Sequence, residues 1–152
     1  MDLFGTRTGV VSGSRSFTYA EFGDRAQRLA SALESLGVPP GGRVAYISFN
    51  NNALLEGYYG VIQARAIVMP LNVRLSQLEM TNILNPAEAD VVFFENDFAP
   101  LAAALKPGCP SVRHWISIDD GYEDLLAAAG SHPADIFTND EQAIAEHNNT
   151  SG

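Results

Sequence analysis

The residues of this 152-residue chain best suited to chemistry stand at its end, Thr150-Ser151-Gly152. Two hydroxyls, together with backbone N–H groups that no bulky side chain covers, can surround an anion, so such a turn suits a phosphate when it follows a parallel strand. The short apolar run Ala143-Ile144-Ala145 ahead of it reads as that strand. Other reactive side chains read as structural. Asn72 and Arg74 fall in a strand-to-helix turn, where these residue types more often shape the turn than an active-site entrance. His114, His132 and His147 share no metal-like spacing. Asp119-Asp120 and Glu123-Asp124 read as a turn and a helix start in preference to a cation site. Cys109 lies between Gly108 and Pro110, with no basic neighbour nearer in sequence than Lys106 or Arg113, and reads as a passive thiol. No catalytic residue and no metal ligand is assigned.

Alternating strands and helices must position these groups. Arg65 to Glu79 is the most legible stretch: Ile67-Val68-Met69 has the apolar, β-branched character of a buried strand, and Pro70 withdraws an N–H from its ladder. Ser76 and Glu79 then have capping-box spacing, flanked by Leu75 and Met80 as a hydrophobic staple, so a helix is predicted from about residue 77 to the Asn85-Pro86 pair. A second capping box, Thr18 with Glu21, opens an earlier helix whose apolar face is Phe22, Ala26, Leu29, Ala30, Leu33 and Leu36. Asp24, Arg25, Arg28 and Glu34 fall elsewhere on the wheel, and Gly37 ends it. Before this helix, Val10-Val11 and Ser16-Phe17 read as a hairpin around Gly13.

Strands are further predicted at 43–49, 89–94 and 112–118. Helices are predicted at 53–66 (apolar face Leu54, Leu55, Tyr58, Val61 and Ile62, capped by Asn50-Asn51-Asn52), from Asp97 as cap to Leu105, and at 122–129. Gly57 and Gly60 each weaken a helix by about 1 kcal/mol relative to alanine, which implies close approach to the sheet or to another helix. The resulting fold class is α/β: a parallel sheet with helices on both faces and a short N-terminal β-hairpin.

Nine basic residues against eighteen acidic ones give a net charge of −9. That balance argues against nucleic acid and against an anionic membrane surface as partners. The bases are eight arginines and Lys106, scattered without a run. A single cysteine excludes an intrachain disulfide and a cysteine-based zinc site. The opening Met1-Asp2-Leu3-Phe4-Gly5 has no basic and apolar leader pattern, so a cytoplasmic location is expected.

Several of these pieces, in order and spacing, resemble the opening of the AMP-forming acyl-CoA synthetases, in the adenylate-forming superfamily. They are Phe17-Thr18-Tyr19-Ala20-Glu21-Phe22; Leu36-Gly37-Val38 with Gly42-Arg43-Val44-Ala45; Val68-Met69-Pro70-Leu71-Asn72-Val73-Arg74-Leu75; Ile83-Leu84 with Ala89-Asp90-Val91-Val92-Phe93; and Thr150-Ser151-Gly152. The Pro-Leu-Asn-x-Arg-Leu form is most similar to fatty-acyl-CoA synthetases, with aryl-CoA ligases close behind.

The resemblance implies a ligase that joins a fatty acid to CoA through an acyl-adenylate, with release of AMP and pyrophosphate. ATP, Mg2+ and CoA would be its cofactors and co-substrates, and Thr150, Ser151 and Gly152 would begin the phosphate loop. It implies that residues 1–152 are the front of the large N-terminal domain: a hairpin at 1–17, helix and strand layers at 18–130, then a linker and the start of the phosphate loop at 131–152. The loop lysine, the nucleoside and magnesium contacts, the acyl pocket and a mobile C-terminal domain would follow Gly152. The fragment alone is therefore expected to be inactive, with no cofactor bound. Arg65 and Asn149 depart from the family pattern, which has a small residue at the first position and an aromatic at the second.

Two other function classes differ from this. A stand-alone nucleotide-binding or receiver-like α/β module would need a glycine-rich fingerprint or an acidic cluster after its first parallel strand, and Ser48-Phe49-Asn50 offers neither. A truncated, non-catalytic relative would act through association, because uncovered sheet or helix faces favour a homodimer.

Overall fold

Strands β1 (Thr8–Ser12) and β2 (Arg15–Thr18) pair antiparallel, turning at Gly13, whose φ of 58° is the left-handed conformation that glycine adopts freely. The computed structural model describes residues 4–131 and 142–149. The hairpin runs straight into α1 (Tyr19–Ser35). There Thr18 Oγ1 accepts from Glu21 N at 3.2 Å and the Glu21 carboxylate accepts from Thr18 N at 2.7 Å, the capping box that the sequence predicts.

Four parallel strands follow: β3 (Arg43–Ile47), β4 (Ile67–Pro70), β5 (Val91–Phe94) and β6 (His114–Ser117), in spatial order β4-β3-β5-β6. Helices α2 (Asn52–Gln63), α3 (Gln77–Ala87) and α4 (Ala99–Leu105) make the crossovers, and α5 (Tyr122–Ala128) follows β6. The strands alternate their side chains between two cores. Val44, Tyr46, Val68 and Phe93 join Leu29, Leu33, Val61 and Tyr122 on the side of α1, α2 and α5, whereas Ala45, Ile47, Met69 and Val92 join Met80, Leu84 and Leu105 on the side of α3 and α4. This is the α/β sheet with helices on both faces that the hydrophobic pattern implies. Among the described residues, no helix is long and apolar enough to cross a membrane.

Four local expectations are corrected. The third helix does not stop before Pro86 but continues to Ala87: proline removes one late N–H, while Glu88, left-handed at φ 49°, closes the end with its N–H on Asn85 O, and Leu84 and Ala87 stay buried. Asp97 does not cap the following helix; a 3-10 turn (Asn96–Phe98) precedes α4, with no side-chain cap on either element. Helix α2 ends at Gln63, not Ala66, and buries Ala53, Leu54, Gly57, Gly60 and Val61, leaving Leu55 and Ile62 exposed. The strand expected at 143–145 appears as a parallel bridge one residue later, between Glu146 and Val68 of β4.

Arg65 is accommodated in place of a small residue because its side chain reaches solvent, although its backbone is strained. Its φ is 58°, its side chain is exposed, and its carbonyl accepts from Gly41 N at 2.8 Å. A left-handed non-glycine residue costs roughly 1–2 kcal/mol, while glycine forfeits about 0.5–1 kcal/mol of chain entropy. Arg65→Gly is therefore expected to stabilise the protein by about 0.5–1 kcal/mol. The midpoint of urea unfolding should rise with an unchanged slope; a fall would mean that the turn is unstrained.

Candidate functional site

In an open parallel sheet the ligand crevice lies at the carboxyl ends of the strands, where neighbouring connections leave in opposite directions. Here α2 carries the chain from β3 outward to β4, and α4 carries it from β5 outward to β6, so the crevice falls between β3 and β5. The loop after β3 is Ser48-Phe49-Asn50-Asn51 and the loop after β5 starts at Glu95. Asn51 bridges them. Its Oδ1 accepts from Leu54 N at 2.9 Å, capping α2, and its Nδ2 donates to the Glu95 carboxylate. Phe49, from the first of these loops, packs against Phe98 with the rings tilted by 51° and their centroids 5.2 Å apart.

The ends of β5 and β6 are stitched by side chains. Asn96 N donates to Asp119 Oδ2 at 2.6 Å, Asn96 Nδ2 donates to Asp120 Oδ2 at 2.7 Å, and Ser117 Oγ donates to Asn96 Oδ1 at 2.7 Å. These aspartates serve a turn. Asn72 does likewise, its Oδ1 accepting from Arg74 N at 3.0 Å, while the Arg74 side chain is exposed at the same edge. Beside the hairpin, a crevice of about 350 Å³ opens between Val11 and Ser12 on one wall and Asn50, Asn52, Leu55 and Tyr58 on the other.

Residues 142–149 return to the sheet beside β4. Val68 N donates to Ala145 O at 3.1 Å and His147 N donates to Val68 O at 3.0 Å. Because the bridge is parallel, the chain runs from Glu146 toward the edge at which β4 itself ends. Glu146 is also held from the side: Tyr58 Oη donates to its Oε1 at 3.3 Å and Asn148 Nδ2 to the same oxygen at 2.6 Å. Partial burial, with the neighbouring carboxylate, raises the Tyr58 phenol above its ordinary pKa. Thr150, Ser151 and Gly152, the predicted phosphate-binding residues, lie outside the described residues, as does His132.

The remaining candidates do not converge. His114 Nε2 lies 3.2 Å from Leu36 O, far in sequence from His147, and among the described residues no three His, Cys, Asp or Glu side chains group around a cation site. Cys109 is buried, and burial raises its thiol pKa, consistent with a passive role.

Periodicity misses one cluster. Glu56, 0% exposed, receives Arg25 Nε at 2.7 Å, Arg25 Nη2 at 3.3 Å, Asn52 Nδ2 at 3.1 Å and Tyr122 Oη at 2.6 Å. Arg25 also donates to both oxygens of Glu123, at 2.9 and 2.7 Å, and Arg15 adds a bond to Glu123 at 2.9 Å. The hydrogen bonds from Arg25, ahead of those from Arg15, hold the Glu123 carboxyl down at about 2. The cluster ties the hairpin, α1, α2 and α5 together just below the Asn51–Asn52 start of α2. The available signal was a glutamate within the small-residue stripe Ala53, Gly57, Gly60.

The sequence matches the family of AMP-binding enzymes over residues 3–152. It is 40% identical over 116 residues to the long-chain-fatty-acid–CoA ligase of Thermus thermophilus, covering 72% of this chain and 21% of that protein. It is 41% identical over 101 residues to a feruloyl-CoA synthase of an Amycolatopsis species, covering 66% of this chain and 21% of that one. The fold overlays the whole chain on an anthranilate CoA ligase crystallised with anthranoyl-AMP, with a TM-score of 0.94 at 21% identity, over 30% of that protein. It overlays 90% of the chain on a Mycobacterium tuberculosis fatty acyl CoA synthetase, with a TM-score of 0.82 at 26% identity, over 28% of that protein. The chain thus spans about a fifth of the length of the two relatives matched by sequence.

Proposed function

The chain belongs to the family of AMP-binding enzymes, and on that premise we propose that it forms the front of an ATP-dependent, AMP-forming carboxylate–CoA ligase whose acid is a fatty acid. In this reading residues 1–152 open the large N-terminal domain, with a hairpin over 1–17, layered helices and strands over 18–130, and a linker leading into the phosphate loop over 131–152. The protein activates a carboxylate as its acyl-adenylate and passes the acyl group to the CoA thiol. Thr150, Ser151 and Gly152 take part in holding the ATP phosphates.

The observation that carries the reading is the parallel bridge of Glu146 to Val68. It sends the chain along β4 toward the carboxyl edge, and Asn149, the residue before Thr150, lies three positions past the bridge. An anion cradle belongs at that edge, because turn hydroxyls and N–H groups beyond a parallel strand converge there. The acid-to-phosphate encounter joins two anions, so fixed donors must be aimed at the charge that develops in the transition state. Magnesium would stabilise the same charge, but among the described residues no three carboxylate, histidine or cysteine side chains converge to hold it, and no step is assigned to it.

The test is exchange of pyrophosphate into ATP by the full-length protein, supplied separately with a saturated fatty acid and with an aromatic acid. Exchange that depends on the fatty acid is expected, and none from residues 1–152 alone. Exchange from the 152-residue chain, or none from the full-length protein with any acid, would overturn the proposal.

A further inference from the structure

Helix α2 is apolar on both of its sides. Its inner face buries Ala53, Leu54, Gly60 and Val61, while Leu55, Tyr59 and Ile62, at i, i+4 and i+7, form a second apolar strip that is 38%, 54% and 41% exposed. The one charged residue of the helix, Glu56, is turned inward and fully buried. The strip continues across the crevice, which Leu55 and Tyr58 share with Val11 of the hairpin, itself 71% exposed. On the side of α1, Tyr59 meets Phe22 edge to face, with ring centroids 5.3 Å apart. The neighbouring helices carry charge outward instead: Asp24 and Arg28 pair at the surface of α1 at 2.7 Å, and Glu123 and Asp124 stand exposed on α5. A helix that is apolar all round belongs inside a larger body, and an uncharged apolar strip on a chain of net charge −9 marks a surface that something covers.

A second copy of the chain is a poor match for this strip. A stable dimer covers about 800 Å² on each partner, more than these partly covered side chains expose. A tethered segment needs less area, because its local concentration is on the order of mM. The chain spans about a fifth of the relatives matched by sequence, so a longer protein has ample polypeptide to supply one. Residues 142–149 run beside β4 and reach α2, where Tyr58 Oη donates to Glu146 Oε1 at 3.3 Å, so polypeptide that continues from them leaves next to this face. We propose that in the full-length protein the outer face of α2, together with Val11, is covered by an uncharged apolar segment from beyond residue 152, which makes α2 an inner layer of the large domain. This inference rests on reading the chain as the front of a longer ligase, and not on the position of the phosphate turn.

The test uses the full-length protein. Tyr59→Cys and Ile62→Cys each place a thiol on the strip, and maleimide modification of the folded protein is compared with that of the same variant unfolded in urea. A thiol at a half-exposed site slows by only about threefold, whereas a covered one is expected to slow by more than about tenfold. Slowing of less than about tenfold at either position would overturn the proposal. Oxidation of the unsubstituted Tyr59 by hydroxyl radicals gives the same reading where a cysteine variant does not fold. A benzoylphenylalanine photocrosslinker at position 62 then identifies the occupant. Attachment to residues beyond 152 of the same molecule is expected; attachment to a second copy, or only to residues 1–152, would overturn the proposal. Pyrophosphate exchange separates the two ideas. A protein that exchanges but is modified freely at positions 59 and 62 loses only this interface, and one that is protected there yet exchanges with no acid loses only the ligase reading.

Discussion

Glu56→Ala is expected to destabilise the protein by about 3–5 kcal/mol, the cost of removing one partner from a buried ion pair. The carboxylate is fully enclosed and accepts four hydrogen bonds, from Arg25 twice, from Asn52 and from Tyr122. Alanine leaves Arg25, whose side chain is only 14% exposed, facing a cavity, and strands the Tyr122 hydroxyl in the core. Arg25 keeps its bonds to Glu123, so the remaining network is one negative charge short and does not collapse outright. Glu56→Gln retains the volume and should cost less, which separates charge from shape. Urea unfolding of the three proteins at neutral pH measures both differences, and a loss below about 1 kcal/mol for alanine would show that the cluster is nearly neutral in energy.

The same cluster has a defined acid response. Glu123 titrates near 2 in the folded protein against an ordinary value of 4.5, so its folded-state pKa is depressed. Its contribution is complete above the ordinary carboxyl range and is lost as pH falls from about 4.5 toward 2.

What the sequence discloses and what it conceals divide along the range of the interactions. Both capping boxes, Thr18 with Glu21 and Ser76 with Glu79, involve partners three residues apart, and both form as their spacing dictates. The parallel sheet is legible because the apolar strands at 43, 67, 91 and 114 need helices on both faces. Arg25 and Glu56 were not legible as a pair. Helical periodicity assigns polar residues to solvent by default, and the partner that brings each inward sits 31 residues away. Helix α2 misleads for a related reason: large apolar residues suggest its buried side, yet Leu55 and Ile62 are exposed while its small residues face inward. Of the predicted site, the motif Thr150-Ser151-Gly152 lies outside the described residues. The strand before it could be suspected from Ala143-Ile144-Ala145, but its parallel pairing with β4 is a contact over nearly eighty residues that no local pattern encodes.

The inward small face of α2 makes the second large effect an unusual one, a glycine-to-alanine change inside a helix that weakens the protein. Gly60 sits in the last turn of α2, where alanine ordinarily gains up to about 1 kcal/mol. At this position a Cβ would meet the carbonyl oxygen of Ala26 at 2.7 Å and two carbons of Leu29 at 2.9 Å. Leu29 is fully buried among the residues that join α1 to the sheet, so its side chain has little room to turn aside. The Ala26 oxygen belongs to the backbone of α1 and can yield only if the whole helix moves away. Helix α1 is held at its other contacts by the capping box and by the Arg25 bonds to Glu56 and Glu123. Overpacking of this kind typically costs about 1–3 kcal/mol, and Gly60→Ala is expected to lose that much in net stability despite the gain in helix propensity. Gly57 is the internal comparison, because an added Cβ there meets the Tyr46 side chain instead of backbone. Tyr46 is buried and its hydroxyl is without a partner among the described residues, so moving it breaks no hydrogen bond. The added Cβ would lie closer to the Tyr46 hydroxyl oxygen than to any neighbour at Gly60, and Tyr46 is as enclosed as Leu29, so Gly57→Ala should cost a similar amount by displacing a ring in place of a helix. No loss, or a gain, at Gly60 would mean that α1 and α2 slide apart easily, and the rigid support assumed for the Asn51–Asn52 start of α2 would have to be abandoned.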